Sequence, residues 1–261
     1  MKRLCAVLVM LVVWPAWADF QDGLDAYNRG DYANALKEWR PLAEQGDAAA
    51  QASLGVMYDN GYGVLQDHAQ AAKWYRLAAE QGLAGAQISL GNMYYDGIGV
   101  PQDHAQAVKW YRLAAEQGLA GAQASLGLMY DNGIGVPQDH AQAAKWYRLA
   151  AEQGLAGAQI SLGNMYYDGI GVPQDHAQAV KWYRLAAEQG LADAQFNLGI
   201  RYYNGQGVPQ DYVQAHLWWN LAAAQGLDRA DEFRDIVAAK MTPAQIEEAQ
   251  RLAREWLEAH P

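Results

Sequence analysis

Four histidines recur at intervals of 36 residues, and each directly follows an aspartate. Imidazole and carboxylate groups are both common zinc ligands, so a metal site is the first chemistry to consider. The recurring histidines are His68, His104, His140 and His176. A metal needs ligands that converge within a few ångströms, whereas a sequence period of this length places equivalent residues one structural unit apart. We therefore expect solvated histidines, no metal site and no cofactor.

The sequence also lacks the short motifs that mark common hydrolases. No HExxH, GxSxG or SxxK pattern is present, although serines recur at one position of the repeat, for example Ser89 and Ser161. Carboxylates are plentiful, but aspartates such as Asp103 stand where a helix needs an N-cap. We predict no catalytic residues and no enzymatic activity. An envelope hydrolase that acts on β-lactams or on peptidoglycan is the alternative in a different functional class.

These residues belong to a sequence unit of 36 residues that fills most of the chain. Residues 99–118 return unchanged at 171–190. Near-copies lie at 63–82, 135–154 and 207–226. Residues 66–120 and 138–192 are identical at 55 consecutive positions, which indicates a duplicated two-unit block. A period of this length is typical of solenoids, in which each unit buries its apolar face by stacking on the next.

Each unit has the pattern of two helices joined by a turn. Apolar residues at helical spacing predict a first helix over Ala84–Tyr95. Gly91 inside that helix should cost about 1 kcal/mol relative to alanine, so we expect it to allow the close approach of a neighbouring helix. Two glycines and a proline then predict a turn. Asp103 and Gln106 fit a capping box for the second helix, which continues to Gln117.

The charge of the chain excludes two classes of partner. Its 261 residues carry a formal net charge of −10, from 19 basic and 29 acidic side chains. A nucleic-acid-binding protein needs a basic surface to neutralise phosphates, and an anionic membrane surface makes a similar demand. We therefore expect neither nucleic acid nor an anionic membrane as a partner.

The first 18 residues have the order of a secretory signal peptide. Lys2 and Arg3 precede an apolar run over Leu4–Trp14, and Ala16-Trp17-Ala18 supplies small residues for cleavage before Asp19. A short membrane anchor is the alternative, but the run is shorter than the ~20 residues that span a bilayer. The single cysteine of the sequence lies in this segment, so the exported chain can form no disulfide. We expect a periplasmic or secreted monomer.

The repeated unit AGAQISLGNMYYDGIGVPQDHAQAVKWYRLAAEQG carries its signature at Ala86, Leu90, Gly91, Met93, Tyr94, Gly97, Gly99, Val100, Asp103, Ala107, Trp110, Tyr111, Leu113, Ala114 and Ala115. It resembles a Sel1-like repeat, a relative of the tetratricopeptide repeat. The resemblance implies an all-α, right-handed superhelical solenoid of helix pairs with a C-terminal helical cap. It also implies a non-enzymatic adaptor for a protein or peptide. Some cysteine-rich members are described as β-lactamases, but those carry a disulfide in each repeat.

This resemblance divides the chain into four parts. They are a signal peptide at 1–18, an N-terminal tetratricopeptide-like helix pair at 19–46, five repeats at 47–226 and capping helices at 227–261.

The positions that differ between repeats predict where a partner binds. Three positions of each first helix vary, and their spacing places them on one helix face, opposite the shared apolar residues. First helices line the inner curve of such a solenoid, which offers an extended concave surface. On this concave face we predict contacts at Ile88, Ser89, Asn92, Tyr95, Leu128, Asp131, Ile160, Ser161, Asn164 and Tyr167.

The chemistry of this face suits a peptide. Asparagines can hold a peptide backbone, while tyrosines supply flat contact area of the kind that dominates binding energy. Two alternatives stay open. The variation could be drift on an idle surface, or the chain could be a secreted factor that acts on a host or competing cell.

Export gives the first prediction. Because the charged segment, apolar run and small residues stand in the order of a signal peptide, N-terminal sequencing of the mature protein should begin at or near Asp19. A cytoplasmic chain that retains Met1 would contradict this expectation.

Overall fold

The computed structural model describes residues 19–260, so the predicted signal peptide lies outside the described residues. The described part is entirely α-helical and contains no β-strand. The all-α class and the tandem helix pairs predicted from the sequence are confirmed. The helices are α1 (Phe20–Asn28), α2 (Tyr32–Glu44), α3 (Ala48–Asn60), α4 (His68–Glu80), α5 (Ala84–Asp96), α6 (His104–Glu116), α7 (Ala120–Asn132), α8 (His140–Glu152), α9 (Ala156–Asp168), α10 (His176–Glu188), α11 (Ala192–Asn204), α12 (Tyr212–Ala224), α13 (Asp228–Ala238) and α14 (Pro243–Ala259).

The described residues form two compact units. The first contains residues up to Ala86 together with Ile98–Val100, and the second contains Gln87–Gly97 and the residues from Pro101 onward. In the first unit α2 packs between α1 and α3, and α3 packs on α4. In the second unit each helix from α6 to α12 packs on the next, and α12 also packs on α13 and α14. Within each unit the packed helices are therefore neighbours in sequence, except for α12 and α14.

The helical glycine of each repeat seats an aromatic ring of the following helix. A Cβ atom placed on Gly91 would lie 2.7 Å from the Tyr111 ring, and one on Gly163 would lie 2.8 Å from the Tyr183 ring. Both tyrosines are buried, with 3% and 2% of their surface exposed. The expectation that this glycine allows close packing is therefore confirmed.

Tryptophan takes the place of this tyrosine in the first and last pairs. Trp39 lies against Gly23 in the first unit, and Trp219 lies against Gly199 in the second. Each indole Nε1 donates a hydrogen bond of 3.1 Å to the carbonyl of a phenylalanine three residues before the glycine. In both units the larger ring thus lies on the glycine and keeps its polar atom bonded.

Only one of the two hydrogen bonds of the predicted capping box forms at the second helices. The Asp139 side chain accepts a hydrogen bond of 3.0 Å from the backbone N–H of Gln142, as predicted. The glutamine side chain does not return a bond, because the Asp139 N–H already donates to the Tyr130 carbonyl at 2.9 Å. The reciprocal box is complete at α14, between Thr242 and Gln245. The aspartate therefore ties the second helix to the first.

The connecting turn is held by its polar and glycine residues. Gly133 ends α7 in the left-handed conformation, and Gln138 Nε2 donates to the Asp131 carbonyl at 2.7 Å. A second glycine, Gly135, has φ of +70°, and a Cβ there would lie 2.4 Å from the His104 carbonyl oxygen of the preceding pair. The turn therefore serves as a contact between successive pairs, which only glycine permits.

Buried glutamines link successive helix pairs, a role not predicted from the sequence. Gln123 Nε2 donates to the Ala115 carbonyl at 3.2 Å, and Gln153 Nε2 donates to Gln123 Oε1 at 2.8 Å. The same arrangement recurs at Gln159 with Gln189 and at Gln195 with Gln225. Each amide therefore bridges the end of the preceding second helix and the end of its own.

The C-terminal helices continue the stack. The first of them, α13, starts 36 residues after α11, and Ala230 is buried at the position equivalent to Ala194. Trp256 of α14 meets Trp218 of α12 edge-on, with ring centroids 6.5 Å apart. The C-terminal segment thus consists of two helices that both pack on α12, the last helix of the repeats.

Two glycines of α9 provide a matched test of the seat. Gly163→Ala should lower the free energy of unfolding by about 1–3 kcal/mol, because the added methyl group collides with the buried Tyr183 ring. Gly157→Ala should instead raise it by about 0.4–1 kcal/mol, since nothing lies within 4 Å of its Cβ position. Urea denaturation measures both values. Equal effects of the two substitutions would show that the ring contact does not set the packing.

Candidate partner-binding face

The candidate site is the row of variable positions on the first helices of the second unit, which we call the variable face. It comprises Ile88, Asn92, Tyr95, Ala124, Leu128, Asp131, Ile160, Asn164, Tyr167, Phe196, Ile200 and Tyr203. All of these residues are exposed or half-buried except Phe196, which is 5% exposed. Phe196 is covered by Phe233 of α13, with ring centroids 5.2 Å apart. The neighbouring shared positions, such as Leu126 and Leu162, are completely buried.

The ten residues predicted to contact a partner all lie in this unit and none is buried. Asn92, Leu128 and Asn164 are exposed, and the other seven are half-buried. Most of these ten residues also make contacts within the chain that the sequence did not predict.

The two asparagines are also part of the packing beneath the face. Tyr111 Oη donates to Asn92 Oδ1 at 2.8 Å, and Tyr183 Oη donates to Asn164 Oδ1 at 2.7 Å. Burial raises the pKa of both tyrosines, so their hydroxyl groups stay protonated and act as donors. The amide Nδ2 atoms have no acceptor among the described residues, which leaves one donor group on each asparagine for a partner.

Ser161 interacts with the preceding repeat, which lacks the asparagine. Leu128 stands at the asparagine position of α7, so the hydroxyl of Tyr147 interacts with Ser161 of the next pair instead. Burial raises the pKa of Tyr147 to about 12, and the interaction with Ser161 acts against that rise. Ser161 Oγ also donates to the Gly157 carbonyl at 3.1 Å. This predicted contact residue is therefore engaged within the chain.

The periodic histidines border the variable face in two alternating arrangements. Tyr95 contacts His104, and Tyr167 contacts His176, with ring centroids 5.3 and 5.0 Å apart. Asp131 replaces the tyrosine in the intervening repeat, and its Oδ1 lies 2.7 Å from His140 Nδ1. The histidines are half-buried rather than freely solvated as expected, because the residue at the end of each first helix packs on them.

No metal site emerges from this arrangement. Over residues 19–260, no three His, Cys, Asp or Glu side chains converge in a manner that could hold a metal ion. Each histidine interacts with a residue of its own repeat, as the pairs above show. None of the helices described is long and apolar enough to cross a membrane.

Two polar residues next to the variable face were not predicted to have a role. Arg201 of α11 lies with its Cζ atom 3.8 Å from the centroid of the Tyr167 ring. Hydrogen bonding and charge attraction from Arg201 lower the pKa of Tyr167. Gln206, in the turn that follows α11, acts on the same hydroxyl. The sequence shows both residues only as departures from the repeat.

A different surface, formed by second helices and the segments beside them, also contains depressions. One of about 500 Å³ is lined by residues that include Lys181, Trp182 and Leu185. Another of about 310 Å³ includes Lys109 and Leu113. These depressions lie in the same repeats as Tyr167 and Tyr95, and so they offer a matched comparison for the variable face.

The Sel1 repeat profile matches the chain five times, at residues 48–83, 84–119, 120–155, 156–191 and 192–227. A protective antigen present in uropathogenic Escherichia coli strains, which displays an SLR fold, is 40% identical with a TM-score of 0.82. That likeness covers 90% of this chain but 52% of the antigen, so the chain spans about half the length of that relative. A Sel1 repeat protein from Oxalobacter formigenes is 35% identical with a TM-score of 0.80, over 92% of this chain and 98% of its own. No curated protein sequence matches significantly.

The dual role of the asparagines can be measured. Asn164→Leu removes the acceptor of the buried Tyr183 hydroxyl, so the free energy of unfolding should fall by about 1–3 kcal/mol. Leucine already stands at the equivalent position 128, so the side chain fits the repeat. Adding Tyr183→Phe should recover most of the loss in urea denaturation. A double variant as unstable as the single variant would argue against an unpaired hydroxyl as the cause.

Proposed function

Because the chain belongs to the Sel1 repeat family, we propose that it is an exported, non-catalytic scaffold that binds a protein or peptide on its variable face. Sel1 repeats typically mediate protein interactions. In a helix-pair solenoid the first helices line the concave side, where such stacks offer an extended surface.

One observation carries the proposal. Positions shared by the repeats, such as Leu126, Met129 and Leu162, are buried, whereas the positions that form the variable face of the first helices are open to solvent in all but one case. Packing of one pair on the next constrains the shared positions and releases the others. The variation is therefore concentrated where a partner has access.

The groups on this face favour a polypeptide over a small molecule. Asn92 and Asn164 each keep an amide N–H for a backbone carbonyl, and the half-buried Tyr95 and Tyr167 offer aromatic contact area at a low entropy cost. The asparagine and tyrosine of the first set, Asn92 and Tyr95, recur two repeats later as Asn164 and Tyr167. An extended segment can contact both sets, which a compact ligand cannot.

Location and the identity of the partner are parts of the same proposal. The signal-peptide pattern supports a location in the periplasm or outside the cell. The related Escherichia coli protein is a protective antigen, and this favours a host-facing factor as the second candidate function. Fractionation into periplasm and culture medium tells the two locations apart. Turnover of nitrocefin or release of peptidoglycan fragments by the purified chain would instead support a hydrolase.

The decisive experiment compares two faces of the same repeats. Wild-type chain, a Tyr95→Ala/Tyr167→Ala variant and a Leu113→Ala/Leu185→Ala control are used to capture proteins from an envelope extract for mass spectrometry. Leu113 and Leu185 belong to second helices, are 38% and 37% exposed and line the two depressions described above. Loss of the tyrosines should weaken partner binding by more than about 1 kcal/mol. Binding is compared at a temperature at which every variant is folded, because Tyr167 also supports the buried Arg201 side chain.

The control separates the two surfaces. The leucine variant should retain the captured partner. Binding that survives the tyrosine substitutions and disappears with the leucine substitutions would move the partner to the second helices and overturn the proposal.

A further inference from the structure

The last Sel1 repeat replaces two apolar residues by polar ones at adjacent places. Arg201 stands where the other four repeats have a buried methionine, at Met57, Met93, Met129 and Met165. Gln206 stands in the turn where three of the repeats have isoleucine, at Ile98, Ile134 and Ile170. These two replacements are thus both polar, and both side chains act on the Tyr167 hydroxyl.

Arg201 is a buried cation with no anion beside it. Arg201 is only 6% exposed, and its guanidinium forms no ion pair among the described residues. Its Nε and Nη1 atoms are buried without any hydrogen-bond acceptor. Stacking on the Tyr167 ring compensates for part of the lost hydration, but an unpaired buried charge is costly.

Other buried polar atoms without partners surround the same phenol ring. Gln206 Oε1 and His176 Nδ1 both lack a hydrogen-bond partner. His176 contacts Tyr167 at a centroid distance of 5.0 Å, and Arg201 covers the ring at 3.8 Å. Asp168, the next residue along α9, is exposed and does not pair with Arg201. The cluster therefore contains two guanidinium donors without an acceptor, and no carboxylate pairs with them, although the charge of Asp168 acts on Tyr167.

We propose that Arg201, Tyr167 and Gln206 form a carboxylate-binding site at the C-terminal end of the variable face. This inference rests on the proposed function, because Tyr167 belongs to that face and a docked peptide would supply the missing carboxylate. The planar guanidinium suits a carboxylate, which it can bind through two parallel hydrogen bonds. A single cation balances a carboxylate, whereas a phosphate dianion would stay half-neutralised.

The turn provides the route into this site. Gln206 is half-buried between two exposed glycines, Gly205 and Gly207. Binding requires that rotation of this side chain uncovers the guanidinium, which the Gln206 variant below tests. Either the C-terminal carboxylate of a peptide or an acidic side chain could enter by this route, and the experiment distinguishes them.

The first test uses acetate as the probe on the full chain. Thermal unfolding is followed in sodium acetate and in sodium chloride of equal ionic strength. Acetate should raise the melting temperature of the wild type in a saturable manner. Arg201→Met should raise the melting temperature in chloride, because it restores the residue of the other repeats, and should abolish the acetate response. Arg184→Met is the matched control, since this exposed arginine bonds the Tyr202 hydroxyl at 2.6 Å, and its acetate response should be unchanged.

The outcome that overturns the inference is equally specific. If Arg201→Met is less stable than the wild type and the acetate response is absent or the same in both, the guanidinium is a structural support for Tyr167. Gln206→Ile keeps the cation and restores the apolar turn residue, so it repeats the test should the arginine variant not fold. It should weaken the acetate response, and an unchanged response would also count against the site.

Peptide probes identify the source of the carboxylate. Acetyl-hexaalanine is compared by calorimetry with its C-terminal amide and with an amide that contains one internal glutamate. Binding of the free acid alone identifies a C-terminal carboxylate, and binding of the glutamate peptide identifies a side chain. Either affinity should fall at least about tenfold in Arg201→Met. Because acetate needs no partner, a failed acetate test leaves the tyrosine experiment standing, and a failed tyrosine experiment leaves this site standing.

Discussion

The contact of a glycine backbone with an aromatic ring fixes the geometry on which each helix pair depends. Without a Cβ atom at Gly163, the Tyr183 ring lies directly on the first helix. The hydroxyl of that ring then reaches Asn164, the residue after the glycine. One close contact in the core therefore also orients an amide on the variable face. In the repeats with asparagine, a change in the core is therefore transmitted to the surface through a single side chain, whereas Leu128 beside Gly127 lacks this link.

Polar groups join one pair to the next within each unit. The buried Gln123 and Gln159 reach back to carbonyls of the preceding second helix, and the turn glycine Gly135 lies on the backbone at His104. Every buried amide in this series finds its partners, which is the condition under which a polar group stabilises a core. These hydrogen bonds fix the orientation of one helix pair relative to the next as well as their separation. Apolar contacts alone would allow the helices to slide along each other.

Periodicity made most of the fold predictable, because it reports which positions are buried whatever their chemistry. The helix pairs, the aspartate caps and the glycine seat all followed from spacing. Bonds between residues 30 apart, such as Gln153 with Gln123, leave no local pattern, although a glutamine inside an apolar stripe was a usable signal. The capping box failed because the Tyr130 carbonyl competes for the Asp139 N–H. On the variable face exposure was predictable, whereas the sharing of Asn164 with Tyr183 required coordinates.

The duplicated block has a consequence for how the chain reaches its structure. Residues 104–116 of α6 and 176–188 of α10 are identical, so α11 meets the same docking surface on two helices that are 72 residues apart. Loop closure distinguishes them weakly, since each doubling of loop length costs only about 0.6 kcal/mol. The packing energy favours α10 over α6 instead, because docking of α11 on α6 would leave two repeats out of the stack. Misregistered stacks with native helices and a two-repeat loop are therefore the kinetic traps of this chain, and circular dichroism alone does not detect them.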